Sequence, residues 1–343
     1  MYFNKKIIYI TEDADWVIKW IGEYIERFIW KNFKIKIGIF NVADAKGLSS
    51  FKDKILHFGS RSTFLPHNYK MVHNCNKIIF TWFHGTEEDK EFINALPAGS
   101  RKADIIHTAS SLTRKQLIKW GVAEEKIVVI PLGVDRSLFR SVSEVEKQEI
   151  REKLGIPKNS ICIGSFQKDG NGWGEGNTPK LIKGPDIFCK VIEKLKKKYP
   201  IFVLLTGPAR GYVKNTLSEI GVPFKHYFLE KHLNISDYYH ALDYYMITSR
   251  TEGGPIALLE CFASGIPFVT TRVGMVDDII INNENSLVSE VEDFNTLAKN
   301  MERLMTDRNL KEKLVSNGLK IIYKYDWENI ARQYYYKIYS RFL

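Results

Sequence analysis

The stretch 249–260, Ser249-Arg250-Thr251-Glu252-Gly253-Gly254-Pro255-Ile256-Ala257-Leu258-Leu259-Glu260, constrains the fold of this chain more than any other. It joins an aromatic and β-branched run at 244–248 to an almost wholly apolar run at 255–263. The first has the length and residue types of a short buried strand, the second those of a buried helix. Pro255 suits the first helical position, and Ser264-Gly265 suits the helix end. Residues 266–271 read as the next strand. The unit is therefore strand, glycine loop, helix, strand: a βαβ crossover, which commits its strands to a parallel sheet. Two carboxylates stand out. Glu252 lies in the loop, and Glu260 is the only charge inside the apolar run. A lone carboxylate on a buried helix costs several kcal/mol unless something pairs with it. Two kinds of partner are open: a lysine or arginine elsewhere in the chain, or a polyhydroxylated ligand at the loop, faced by the N–H groups of Gly253, Gly254 and the helix start.

At 343 residues the chain is long for one core and comfortable for two domains. Its hydrophobic content of 44% and charged content of 26% are those of a globular protein. The net charge of +10 suits anionic partners: nucleotide phosphates, acidic lipid surfaces or nucleic acid. The basic residues are dispersed and carry no nucleic-acid motif, so nucleic acid is not an expected partner. Cys75, Cys162, Cys189 and Cys261 are scattered, with no Cys-x-x-Cys. They read as reduced, mostly buried thiols of a cytosolic protein, neither a zinc site nor a disulfide frame. The N-terminus runs straight into a strand without a signal-peptide layout, and no run of about 18 apolar residues is present. The expectation is a cytoplasmic protein, at most peripheral at the inner face of a membrane.

In the first half, strands are expected at 5–10, 36–40, 54–58, 77–83, 104–108 and 126–130. Helices between most of them make the alternation of a parallel α/β sheet. The helix at 13–30 carries Trp16, Trp20, Ile21, Tyr24, Phe28 and Trp30 on or near one face, and burial of those tryptophans is expected. The turn before it, Thr11-Glu12-Asp13-Ala14-Asp15, has no glycine, which argues against an NAD enzyme. Asp13 and Asp15 match a metal-binding Asp-x-Asp, yet a helix start favours aspartate anyway, and no metal site is assigned. His84-Gly85 occupies the turn after the strand at 77–83, at the sheet end where open α/β folds bind ligands. Thr86 reads as the cap of the next helix, and Ser110 as another cap rather than a ligand contact.

Residues 136–143 read as an inter-domain linker. A second series follows: strand 161–166, helix 185–199, strand 201–206, helix 213–220, strand 224–229, helix 235–242, then the unit at 244–271. Between its first strand and helix, residues 167–183 carry Gly170, Gly172, Gly174 and Gly176. A connection this long reads as a functional loop. It ends at Lys183, just before Pro185 and a helix start, where a cation and free N–H groups make a ready anion site. The lysines at 194–198 complement a helix C-terminus and need no ligand. Helices at 295–306, 309–323 and 327–342, the last capped by Asp326 and aromatic on several faces, complete the chain.

Two Rossmann-like halves, a linker and a closing helix form the GT-B plan, and with these motifs the chain resembles the family 4 GT-B glycosyltransferases. The segment from Glu252 to Glu260 looks like the family's Glu-x7-Glu motif. Cys261-Phe-Ala-Ser-Gly-Ile-Pro-Phe-Val-Thr-Thr resembles its Glu-Ala-x-Ala-x-Gly-x-Pro-Val-Val. His84-Gly85, Ala103-Asp104 with Ser110, and Pro131-Leu-Gly-Val-Asp135 occur in the family's order.

The resemblance implies an α/β GT-B fold of two Rossmann-like domains facing across a cleft. Residues 1–140 would form the acceptor-side domain, joined by a returning C-terminal helix at 326–343, and residues 141–325 the nucleotide-sugar domain. It implies a retaining, metal-independent glycosyltransferase that needs no cofactor and uses a nucleotide-sugar donor, UDP-sugar ahead of GDP-sugar. The acceptor would be a saccharide or lipid-linked, in cell-surface polysaccharide or glycoconjugate synthesis, and its choice would rest on first-half loops. Glu252 would hold the donor sugar's hydroxyls with Gly253, Gly254 and Pro255 beside it. Glu260 would take the ribose hydroxyls, Lys183 the diphosphate, and His84 would lie near the transferred sugar.

This chain departs from the family at its diphosphate-binding Gly-Arg pair, which is Gly164-Ser165 here, with Lys168 or Lys180 as candidate replacements. The glycine-rich first loop of many members is 11–15 here, and the linker has Leu132 in place of asparagine. Two other readings stand beside the transferase: a GT-B sugar-nucleotide 2-epimerase and a non-catalytic nucleotide-sugar-binding module. The basic surface with Trp16, Trp20 and Trp30 leaves contact with an anionic membrane open.

Overall fold

The computed structural model describes residues 5–12, 17–229 and 235–343, and of 44–46 the backbone only. Asp13, Asp15 and Trp16, and with them the metal-motif reading, lie outside the described residues. The chain divides into two compact units, Met1–Gly133 with Tyr325–Leu343, and Val134–Lys324.

The first unit is built on β1 (Ile7–Thr11), β2 (Ile37–Asn41), β3 (Ile55–Phe58), β4 (Lys77–Thr81), β5 (Ile105–Thr108) and β6 (Ile127–Val129). They pair in parallel in the order β2-β1-β3-β4-β5-β6. Every residue of β1, β3 and β5 is buried, as expected of strands covered on both faces. The helix Val17–Phe33 buries Ile18, Ile21, Gly22, Ile25 and Ile29. That aliphatic stripe, at spacings of three and four, is the core face. The expected burial of the tryptophans is corrected by it: Trp20 is half-buried, and Trp30 is exposed with the Lys34 and Lys36 ammoniums 5.8 and 5.1 Å from its ring centre. Gly22 lets the helix close on β1, because a Cβ there would stand 2.5 Å from the Tyr9 ring.

The C-terminal helix Trp327–Lys337 belongs to this unit, with Asp326 Oδ1 accepting from Glu328 N at 3.0 Å as its cap. Trp327 stacks on Tyr24 at 5.0 Å and Tyr335 on Phe33 at 3.7 Å. The single helix expected to 342 is corrected: it stops at Lys337, and a turn at Tyr339–Arg341 follows. The stop swings Tyr339 inward. Its hydroxyl meets His57 Nδ1 at 2.6 Å; His57 Nε2 meets Thr81 Oγ1 at 3.0 Å, and Thr81 meets His107 Nδ1 at 3.0 Å. Tyr334 closes the chain on His107 Nε2 at 3.1 Å. Burial holds both imidazoles neutral: the His107 pKa is pushed down to about 4, and that of His57, which also faces His107, lies well below the ordinary histidine value.

The second unit is built on β7 (Ile161–Phe166), β8 (Ile201–Thr206), β9 (Phe224–Tyr227), β10 (Tyr244–Ile247), β11 (Phe268–Thr271) and β12 (Leu287–Ser289). These strands are parallel too, in the order β12-β11-β10-β7-β8-β9. Strand β12 is not foreseen by the sequence reading, because three residues after an asparagine-rich turn leave too short a pattern. The helices Pro185–Leu195 and Phe294–Thr306 cover one face, packing Ile187, Val191, Leu297 and Met301 on Val203, Leu205 and Val269. The charged stretch after the linker is the helix Glu144–Lys153, capped by Ser143. It is held by Arg151, which donates to Ala241 O at 2.8 Å and pairs with Asp243. Cys162, Cys189 and Cys261 are buried thiols and Cys75 is exposed. Among the described residues, no helix is long and apolar enough to cross a membrane.

Candidate functional site

In the second sheet the strand order reverses between β7 and β10, which lie side by side while later strands extend outward from each. The crevice outside the carboxyl ends of two such strands is the ligand position of open α/β sheets. Lys183 arrives there on the segment after β7, and Glu252 on the segment after β10.

The helix Ile256–Ser264 fixes the second of these segments. Leu258 to Ser264 are buried, and Gly265, left-handed at φ +69°, ends it as expected. Pro255 stands at the cap, one position before the helix proper. The glycine turn is then clamped from two sides. Thr271 Oγ1 donates to Ser249 O at 2.6 Å, and Gly274 lies so close that a Cβ would stand 2.7 Å from Gly253 O. On the other side Arg250 N donates to Ile182 O at 2.8 Å, and Thr248 Oγ1 to Gly184 O at 2.9 Å. Gly184 is left-handed at φ +64°, and any Cβ would fall 1.9 Å from Thr248 O. No other residue fits there.

This clamping brings Lys183 Nζ to 2.6 Å from Glu252 Oε1, with Ser249 Oγ donating to the same oxygen at 2.9 Å. Their side chains are 20% and 13% exposed, so the pair is shielded yet reachable. Arg250 supports it from behind. It is bidentate to Asp186 at 2.7 and 2.8 Å and pairs with Glu292. Burial works against the Asp186 charge, and the Arg250 guanidinium more than offsets it, holding the carboxyl below its ordinary range. Glu260 is 2% exposed and accepts from the Tyr239 hydroxyl at 2.6 Å. Among the described residues a tyrosine hydroxyl thus stands beside it, a partner that neither expectation named. Burial, reinforced by Glu260, raises the Tyr239 pKa far above its usual value, so the hydroxyl stays a donor.

Ser165, where the family has an arginine, nevertheless has a guanidinium beside it. Arg210, from the segment after β8, donates to Ser165 O at 2.6 Å, Gln167 O at 3.0 Å, Thr206 O at 2.8 Å and Ser165 Oγ at 3.0 Å. Its Nε lies 3.0 Å from Asp169, both side chains being fully buried. Arg210 therefore knits the ends of β7 and β8 together. Gly164 is explained by packing, because a Cβ would meet Leu242 at 2.4 Å. Lys168 sets its ammonium 4.4 Å above the Trp173 ring. Gly253 is buried and Gly254 half-buried.

His84 belongs to the first unit, half-buried in the turn after β4. Thr86 does not cap the next helix, which starts only at Lys90. The residue that organises this turn is Asp89, accepting from Thr86 N at 2.8 Å and paired with Arg61. Ser110 is the expected cap, accepting from Thr113 N at 3.2 Å. Among the described residues no cluster of three or more His, Cys, Asp and Glu side chains is arranged to hold a metal ion.

Sequence reasoning did not find Arg250, Asp186, Arg210, Asp169 or Tyr239. Arg250 adjoins the motif and Asp186 sits in a helix first turn, and their neighbourhood was the available signal. Arg210 and Tyr239 had none.

Two parallel six-stranded sheets with flanking helices, carrying such a turn at a switch point, are the two Rossmann-like units of the GT-B fold. Residues 179–321, most of the second unit, match the family described as glycosyl transferases group 1. An uncharacterized glycosyltransferase of Methanocaldococcus jannaschii is 23% identical over 89% of this chain and 78% of its own length. The lipopolysaccharide core biosynthesis mannosyltransferase LpsB of Rhizobium meliloti is 26% identical over 56% of this chain. The match spans 54% of LpsB, about half its length. Among solved structures, Anabaena HepE in complex with UDP and glucose aligns over 98% of this chain and 100% of its own, with a TM-score of 0.79 and 15% identity. That likeness is one of fold.

Proposed function

We propose that this chain is a glycosyltransferase that moves a sugar from a nucleotide-sugar donor to a saccharide or lipid-linked acceptor, with retention of configuration and without a metal. The observation that carries the reading is the cluster of Lys183, Glu252 and Ser249 at the switch point, on the turn that leads into the helix of the buried Glu260. A paired lysine and carboxylate that are both reachable can exchange each other for a ligand. The diphosphate would take the Lys183 ammonium, and the sugar hydroxyls would donate to the released Glu252 carboxylate. The N–H groups of Gly253, Gly254 and the helix start would face the same ligand.

Charge develops on the departing diphosphate in such a transfer, so a pre-placed lysine and helix N-termini supply the stabilisation the step needs. Glu260 is assigned to the ribose hydroxyls, joining the Tyr239 hydroxyl as their acceptor and partner. His84 is assigned to the transferred sugar. A UDP-sugar stands first among donors because HepE, whose fold this chain shares, was solved with UDP and glucose. The name of LpsB supports a place in cell-surface polysaccharide synthesis.

The test is a thermal-shift screen of UDP, GDP, ADP and their sugars. It is followed by transfer assays with and without chelator, reading the product's anomeric configuration by NMR. A shift with one nucleotide family and chelator-resistant transfer with retention are expected. Interconversion of the donor sugar without acceptor would make the chain an epimerase, and failure of every nucleotide to bind would remove the reading altogether.

A further inference from the structure

Arg250 stands two residues before Glu252, and its guanidinium is wholly committed to the protein. Such a group has five N–H donors in a fixed fork. Here all five are engaged. Nη1 donates to Leu181 O and to Asp186 Oδ1, both at 2.7 Å. Nη2 donates to Asp186 Oδ2 at 2.8 Å and to Glu292 Oε2 at 3.1 Å, and Nε donates to Glu292 Oε1. No N–H is left over for a diphosphate. Arg250 is therefore not a stand-in for the arginine that the family carries at Ser165, and its part in the site has to run through its partners.

Those partners lie on three segments. Leu181 O belongs to the turn Leu181–Lys183, Asp186 to the first turn of the helix Pro185–Leu195, and Glu292 to the connection between β12 and the helix Phe294–Thr306. One side chain thus ties the loop of Glu252 to both flanks of Lys183 and to a third segment. Glu292 is left-handed at φ +72°, a conformation strained for a glutamate and free for a glycine. A glycine there would bring no carboxylate to Arg250. The two ion pairs differ in weight: Asp186 is bidentate and 16% exposed, whereas Glu292 is 59% exposed and screened by water. Other bonds cross the same seam without the guanidinium, from Arg250 N to Ile182 O at 2.8 Å and from Thr248 Oγ1 to Gly184 O at 2.9 Å. They keep the two loops together. What the guanidinium adds is a fixed place for Leu181 and Asp186, and so a fixed origin for the stem of Lys183 between them.

We propose that Arg250 is a positioning residue for the transfer. Through Leu181 and Asp186 it holds the Lys183 ammonium where it meets Glu252 and, during reaction, the departing diphosphate, while touching no part of the donor itself. The role during reaction rests on the transferase reading, and the placement of the Lys183 ammonium beside Glu252 does not.

The test compares Arg250→Ala and Arg250→Lys, each alone and combined with Lys183→Ala, in the full chain. Turnover and donor KM are measured with UDP-glucose. In parallel, the Lys183 signal is followed by NMR in chain labelled with carbon-13 at lysine Cε, assigned by its loss in Lys183→Arg. Arg250→Ala is expected to lower kcat about ten-fold, the scale of a misplaced charged group. Arg250→Lys should fall between it and the wild type, because an ammonium keeps the charge but not the fork. In the Lys183→Ala background, removing Arg250 should cost less than about two-fold more, since both changes act on one group. The Lys183 signal should move in Arg250→Ala toward its position in Glu252→Ala. Wild-type kcat in Arg250→Ala with only a lower melting temperature would overturn the proposal and make the arginine structural. A full ten-fold loss repeated in the Lys183→Ala background would overturn it too, because Arg250 would then act on the donor directly. Should Arg250→Ala fail to fold, Arg250→Lys carries the same comparisons. A wild type that neither transfers from UDP-glucose nor binds any nucleotide would sink the transferase reading. The Lys183 signal then decides alone: displaced in the Arg250 variants it supports the positioning, and unmoved it removes it.

Discussion

Lys183 and Glu252 are separated by 69 positions and meet at 2.6 Å, and the consequences of removing either are distinct for activity and for stability. Lys183→Ala and Glu252→Ala are each expected to lower turnover about 100-fold, the scale of losing a group that answers developing charge. Each also leaves a shielded charge without its main partner. The double variant should therefore melt no lower than Lys183→Ala alone, because it removes the stranded carboxylate along with the lysine. Strict additivity of the two melting-temperature losses would mean that the pair is not coupled. A second residue-scale expectation concerns acid. His57 and His107 are neutral in the folded unit and protonate in the unfolded chain near the ordinary histidine value. The unfolded state then binds more protons below about pH 6.5, so stability is complete above that pH and lost as the pH falls toward the folded value of about 4 for His107. His107 alone accounts for about 3 kcal/mol over that window. Urea titrations at pH 7 and pH 5 should show the loss in the unit that contains the C-terminal tyrosines, and equal midpoints would remove the neutral-imidazole account.

At the scale of elements, the segment between β7 and Lys183 is anchored by the buried Asp169–Arg210 pair and by backbone bonds from Gly211 N to Glu175 O and Tyr212 N to Gly176 O. Asp169→Ala leaves the Arg210 guanidinium buried without its countercharge and is expected to cost roughly 3–5 kcal/mol. Asp169→Asn, which keeps a hydrogen-bond acceptor of the same shape, should cost less. Denaturant unfolding followed through the second unit measures both, and a loss below about 1 kcal/mol for Asp169→Ala would assign the anchoring to the backbone bonds alone. Burial pushes the Asp169 carboxyl up against the pull of Arg210.

Element-scale features were the most legible part of the sequence. The strands at 161–166 and 201–206 were read to the residue, because continuous apolar runs bounded by polar turns leave little choice. The helix Val17–Phe33 was read by its aromatic residues, whereas its isoleucines make the buried face. Size misled there: an isoleucine on the stripe is buried before a tryptophan beside it. Strand β12 and the stop at Lys337 were missed because neither leaves a periodic signal in so few residues. Of the candidate site, Lys183, Glu252 and Glu260 could be picked out beside glycine turns. Arg210 and Tyr239 could not, since each comes from a different segment and acts through a contact that only folding creates.

For the whole molecule, the last 19 residues are the test of connectivity, since Tyr325–Leu343 folds with the unit that begins the chain. Trp327, Ile330, Tyr334, Ile338 and Tyr339 are buried there, and each such side chain contributes roughly 1.5–3 kcal/mol. Truncation after Lys324 should unfold the first unit or make it protease-sensitive while the second keeps its cooperative transition. Limited proteolysis with mass spectrometry distinguishes the two, and an intact first unit in the truncated chain would show that the closing helix is dispensable. The sequence by itself determined the parallel α/β class, the two-unit plan and the glycine turn before an apolar helix, because periodicity and turn chemistry are local properties. Only the tertiary structure decided what stands beside the two carboxylates: Lys183 for Glu252, brought in by glycine-permitted contact between two loops, and Tyr239 for Glu260. Pairings between distant segments depend on backbone approach within a few ångströms, which no local pattern encodes.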